Sequence, residues 1–112
     1  TDLVSIVVTR RVEPVLLNLI VNAMEAVKDM PEPQIILAAG YSSNRKIIVK
    51  VADNGPGMSE DVMDKIFIPF FSTKKNGSGI GLSLCKQIMM LHKGNIQVQS
   101  KQGEGTAFSL QF

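Results

Sequence analysis

Apolar positions along the chain repeat with two periods, and each period predicts its own elements. Val12, Val15, Leu16, Leu19, Ile20, Ala23 and Val27 recur at helical spacing and predict a helix over about residues 12–28, with Pro14 tolerated in its first turn. Leu84, Ile88 and Leu91 predict a second long helix over about 79–92, ended by His92, Lys93 and Gly94 as dipole partners and left-handed cap. Period two, or a short β-branched run, marks the strands: "LVSIVV" at 3–8, "QIILAA" at 34–39, "KIIVKVA" at 46–52, "NIQVQS" at 95–100 and "TAFSLQF" at 106–112. "MPEP" at 30–33 breaks the first helix, "GYSSNR" and "KQGEG" read as hairpin turns, and "FIPFFSTKKNGSG" at 67–79 reads as a loop. Ser59, followed by Glu60 and Asp61, can cap a short helix after "DNGPGM". Five strands and three helices in this order predict one sheet covered on one face by helices, an α/β two-layer sandwich formed by a single domain over 1–112.

Composition agrees and removes some alternatives. With 112 residues, 45% of them hydrophobic, the chain can enclose one core and not two. A net charge of +2 is too balanced for a general nucleic-acid binder, although a small polyanion such as a nucleotide remains compatible. The lone Cys85 sits in a helical pattern and reads as a small buried apolar residue, which suits a reducing compartment. No apolar run approaches the roughly 20 residues that cross a bilayer. The domain reads as soluble and can be a piece of a membrane-anchored chain.

Three groups of residues could carry chemistry. Asn18, Asn22 and Glu25, spaced by four and three, line one face of the first helix away from its apolar stripe. That face is either simply solvated or a magnesium site, since the ion takes hard oxygens and few protein ligands beside substrate phosphates. In "NGSGIGLSL", Gly77, Gly79 and Gly81 precede and enter a helix, where bare backbone N–H groups can meet an anion, with Lys74 and Lys75 just upstream. A flexible linker would use the same glycines, and neither a P-loop nor a dinucleotide fingerprint is present. Asp53 ends a strand at "DNGPGM", where it could accept from an exocyclic amine or close an Asx turn. Thr106, at another strand end, could add a hydroxyl to the same pocket or serve only β-propensity.

In order, these stretches resemble the nucleotide-binding boxes of the family that includes histidine kinases, gyrase B, heat-shock chaperone ATPases and mismatch-repair ATPases. "EPVLLNLIVNAMEA" looks like the N box, "DNGPGM" the first glycine box, "FIPFFSTK" the F box, "GSGIGLSL" the second glycine box and "GEGTAFSLQF" the closing segment. The likeness is greatest to the catalytic domain of bacterial sensor histidine kinases. It implies the family's ATP-binding sandwich, one mixed sheet of about five strands under about three helices, with ATP and magnesium as cofactors.

Carried over by position, the resemblance makes Asn22 the magnesium ligand, with Asn18 assisting at the metal or phosphates. Asp53 would accept from the adenine amine, Gly55 and Gly57 would let the ring lie close to the backbone beside Met58, and Thr106 would reach the base through water. Thr73, Lys74, Lys75, Gly77, Ser78, Gly79, Ile80, Gly81 and Leu82 would contact the nucleotide, the glycines framing a lid over the phosphates and Lys74 or Lys75 serving as a cationic contact. Phe67, Phe70 and Phe71 would anchor that lid or, equally, bury aromatic area in the core.

The family's ATPases carry a glutamate four residues before the metal asparagine as base for water. Here that position is Asn18, which cannot take a proton, so the resemblance implies transfer rather than hydrolysis. His92 reads as an ordinary helix ending rather than as the acceptor. The acceptor histidine would lie on a separate dimerisation domain, and the phosphoryl group would pass to a response regulator receiver domain in two-component signalling. The resemblance further implies a cytoplasmic domain of a sensor that can be anchored in an inner membrane, monomeric alone and homodimeric in the full protein, with no nucleic acid as partner. A serine kinase or ATPase of the same fold and a nucleotide-binding scaffold are the rival readings. Pro14 stands where the family often has glutamine, and the lid from Phe71 to Gly77 is short.

Overall fold

The computed structural model describes residues 12–72 and 81–112. The 3–8 strand and most of the glycine-rich lid (Thr73, Lys74, Lys75, Gly77, Ser78, Gly79 and Ile80) lie outside the described residues.

Helix α1 (Glu13–Val27) buries Val15, Leu19, Ala23 and Val27 and carries Pro14 in its first turn. Strands β1 (Ile35–Tyr41) and β2 (Ile47–Asp53) form a hairpin, α2 (Glu60–Met63) is a single turn, and α3 (Gly81–Leu91) leads into the hairpin of β3 (Asn95–Lys101) and β4 (Gly105–Gln111). The sheet order is β1-β2-β4-β3 with every pairing antiparallel. Thus the sheet expected as mixed with about five strands shows four antiparallel strands among the described residues. Antiparallel neighbours follow from the two short hairpins, which leave no crossover between their own strands.

Helices α1 and α3 pack against one another and against one face of the sheet, giving the two layers. The core between them holds Val15, Leu19, Val51, Cys85, Met89, Ile96, Phe108 and Leu110. Burial pushes the Cys85 thiol up to about 11, so it stays protonated and acts as packing.

Register organises this inner face in rows. Val49 stands opposite Leu110, which stands opposite Ile96; Val51, Phe108 and Val98 form the next row; Asp53, Thr106 and Ser100 form the third. Side chains two apart share a face, so three apolar columns turn polar together at one end of the sheet. The site lies where the core stripe runs out.

Local chemistry fixes the connections. Ser59 caps α2 as expected, its Oγ accepting from the Val62 N–H at 3.3 Å. At the end of α3 the left-handed residue is Lys93, with φ 59°, and not Gly94. The Gly94 N–H donates to the Met89 carbonyl at 2.8 Å and the Lys93 N–H to that of Met90 at 3.0 Å, a Schellman closure. Gly94 is a glycine for another reason: a Cβ there would stand 2.5 Å from the Gln111 carbonyl oxygen.

Candidate functional site

A cleft of about 640 Å³ opens between α1, the β2 end, the segment around α2 and the start of α3, within the size range of ligand pockets. Eight of the sequence-predicted site residues line it together: Asn18, Asn22, Asp53, Gly57, Met58, Gly81, Leu82 and Thr106. They come from four segments far apart in sequence, brought together by the packing of α1 against α3 and by the β2-β4 register.

Asp53 is half-buried at the polar end of β2. Its Oδ1 accepts from the Gly55 N–H at 2.9 Å, so the Asx turn is made and the carboxylate lines the cleft as well. Burial raises its pKa above the ordinary carboxyl value, while backbone hydrogen bonds from Gly55 and Thr106 pull it down by less. A desolvated carboxylate with Thr106 as its cross-strand partner is an acceptor-rich corner suited to an amino group.

The glycines of "DNGPGM" are required by close backbone packing. Gly57 has φ 72°, and a Cβ on it would run into the carbonyl of Lys101, so it is bare because the loop crosses the β3-β4 turn. Gly57 also lines the cleft, so the loop crossing adds a packing reason for a glycine at this position. Gly55 is buried behind the cleft rather than on its wall, where a Cβ would stand 2.8 Å from the Ala26 carbonyl oxygen. Asn54 also faces away: its Oδ1 accepts from the Gln34 N–H and its Nδ2 donates to the Glu32 carbonyl, both at 2.8 Å. It ties the loop after α1 to the β2 end.

Of the three phenylalanines expected to anchor the lid, Phe67 and Phe71 pack against the core, and Phe71 reaches the cleft. Phe70 does not; it is 77% exposed, with φ 69°. Lys86 Nζ lies 5.0 Å from the Phe67 ring centroid, tying α3 to this segment by a cation-π contact.

Sequence reasoning missed Asp29 and the apolar wall of Met30, Val62, Ile66 and Phe108, all lining the cleft. Asp29 falls one further step of four after 18, 22 and 25, in the turn that follows the end of α1, so the spacing carried the signal. Among the described residues no cluster of three His, Cys, Asp or Glu could hold a metal. The carboxamides of Asn18 and Asn22 instead offer neutral hard oxygens, a donor set that fits magnesium bound mainly by phosphate and water.

A family model described as "Histidine kinase-, DNA gyrase B-, and HSP90-like ATPase" matches residues 7–112. The chain is 35% identical over 99 residues to sporulation kinase D of Bacillus subtilis (strain 168), covering 88% of this chain and 19% of that protein. It therefore spans about a fifth of the length of that curated relative. Among solved structures, the nucleotide-free catalytic domain of histidine kinase ThkA superposes with a TM-score of 0.76 at 34% identity, covering 91% of this chain and 65% of that one. Full-length ShkA in complex with AMPPNP superposes with a TM-score of 0.73 at 29% identity, covering 90% of this chain and 21% of that one.

Proposed function

The chain belongs to the histidine kinase-, DNA gyrase B-, and HSP90-like ATPase family, and on that premise we propose that it is the ATP-binding catalytic domain of a two-component sensor kinase. One observation carries the reading: the asparagine face of α1, Asp53, Thr106 and the start of α3 line a single cleft. The base would lie against the apolar wall of Met58, Val62, Ile66 and Phe108, with its amine toward Asp53. Its phosphates would extend toward Asn22, Asn18 and the first turn of α3, whose N–H groups suit an anion. Asn22, assisted by Asn18, would hold a magnesium ion, which when bound neutralises phosphate charge. Lys74 or Lys75 and the lid glycines Gly77 and Gly79, outside the described residues, would complete the phosphate contacts.

Asn18 cannot accept a proton, so nothing at that position activates water. The γ-phosphoryl group is kept for an imidazole presented by a separate dimerisation domain. Its ring nitrogen bonds to the γ-phosphorus as the bond to the bridging oxygen breaks, ADP leaves, and the imidazole proton is released. The domain contributes positioning and charge neutralisation. The phosphoryl group would then pass to a response regulator receiver domain. No described helix is long and apolar enough to cross a membrane; a cytoplasmic placement beside a membrane-anchored sensor is part of this proposal.

The test is transfer itself. Incubated with magnesium, γ-labelled ATP and a protein carrying dimerisation helices with an acceptor histidine, the chain should place acid-labile, base-stable label on that histidine. Free phosphate produced at the same rate with and without the acceptor would overturn the reading.

A further inference from the structure

The third row of the inner face, Asp53, Thr106 and Ser100, contains a residue that does not line the cleft and was not predicted. Ser100 Oγ makes three contacts: it donates to the Gly105 carbonyl at 3.0 Å, accepts from the Met58 N–H at 2.8 Å, and lies 2.8 Å from Thr106 Oγ1. A serine hydroxyl has one proton and two lone pairs. A carbonyl can only accept, so the proton of Ser100 is committed to Gly105. The Met58 N–H occupies one lone pair. The bond to Thr106 must then be donated by Thr106, which fills the other.

The consequence falls on Thr106. Its hydroxyl proton is turned toward Ser100, and only lone pairs remain for the cleft that it lines. Its neighbour across the β2-β4 pairing, Asp53, is an acceptor when ionised. Both groups at this end of the cleft therefore accept. A purine with a 6-amino group offers two N–H donors to such a corner, directly or through one water. A 6-oxo purine points an acceptor at Thr106, and Thr106 cannot turn to donate while Ser100 holds its proton.

We propose that Ser100 is a specificity-determining positioning residue: through the hydroxyl orientation of Thr106 it makes the pocket reject 6-oxopurine nucleotides in favour of 6-aminopurine ones. The same hydroxyl anchors the Met58 N–H, so the first glycine loop and the base-reading hydroxyl are set by one atom. The inference rests on the proposal that Asp53 and Thr106 face the base.

Titration calorimetry with ADP and with IDP, both with magnesium, tests it on the wild-type chain, Ser100→Ala and Ser100→Thr. The wild type should prefer ADP by a wide margin. Ser100→Ala frees Thr106 to donate and should narrow the ADP/IDP affinity ratio by about tenfold, the worth of one hydrogen bond. Ser100→Thr keeps the hydroxyl and should restore the ratio. Thr106→Val, which removes the group acted upon, should narrow the ratio alike and carries the test if Ser100→Ala does not fold. A merely structural role would weaken ADP and IDP equally, so an unchanged ratio in Ser100→Ala, or in Thr106→Val, overturns the inference while leaving the nucleotide reading standing. Equal affinities in the wild type overturn the adenine pocket and this inference with it.

Discussion

The carboxamide of Asn18 lies against the backbone of Gly81: a Cβ placed on Gly81 would stand 2.8 Å from Asn18 Nδ2 and 2.9 Å from Oδ1. The first turn of α3 and the asparagine face of α1 thus meet at one point, and the amide tip is the part that must yield. An amide tip moves at little cost to folding, and alanine favours a helix over glycine. Gly81→Ala should therefore leave the melting temperature within a few degrees while weakening binding of magnesium with a non-hydrolysable ATP analogue by about tenfold. Melting curves and calorimetry on the same sample separate the two effects.

Asp53 couples stability to pH in the opposite sense to binding. Because burial raises its pKa, its contribution to stability is present below the ordinary carboxyl range and is lost as pH rises through the raised value. Asp53→Asn removes the desolvated charge and can keep the Gly55 N–H bond, so its melting temperature relative to wild type should rise from acid to neutral pH. Nucleotide affinity should move the other way, falling about 10–100-fold in Asp53→Asn as an amide donor replaces a charged acceptor. In the wild type, affinity should fall as acidification protonates the carboxylate.

Asn54 is predicted to matter only for the fold. Asn54→Ala removes the two bonds to the 32–34 segment and should cost about 1–2 kcal/mol in denaturant unfolding, with little change in the ADP/IDP ratio.

Lys93 pays for a left-handed backbone that glycine adopts freely. Lys93→Gly should stabilise the domain by about 1 kcal/mol, read as a shift in the urea midpoint at constant slope. Gly94→Ala, by contrast, should destabilise it, because the methyl group meets Gln111 and Met89.

These residues also mark what was legible in the chain. Helix α1, the two hairpins and the Ser59 cap were readable because each rests on local periodicity or a local hydrogen bond. So was the polar part of the cleft, since the asparagine spacing and Asp53 at a strand end are visible in one dimension, whereas its apolar wall was not. What could not be read was which backbone each glycine crosses: Gly57 meets Lys101 across 44 positions, a contact that exists only once β2, β4 and β3 are in register. The same holds for Ser100, whose role depends on partners from two other segments. The core reading of Phe70 failed for the opposite reason: an aromatic close to two others looks like core until a left-handed backbone turns it out.

The proposed function depends on this cleft binding a magnesium-nucleotide complex through Asn22. Titration of the chain with a non-hydrolysable ATP analogue, with and without magnesium, in wild type and Asn22→Ala tests it most directly. Saturable one-to-one binding is expected in the wild type, strengthened by magnesium, with that strengthening lost in Asn22→Ala. Absence of binding at millimolar nucleotide, or a magnesium effect that survives in Asn22→Ala, would contradict it.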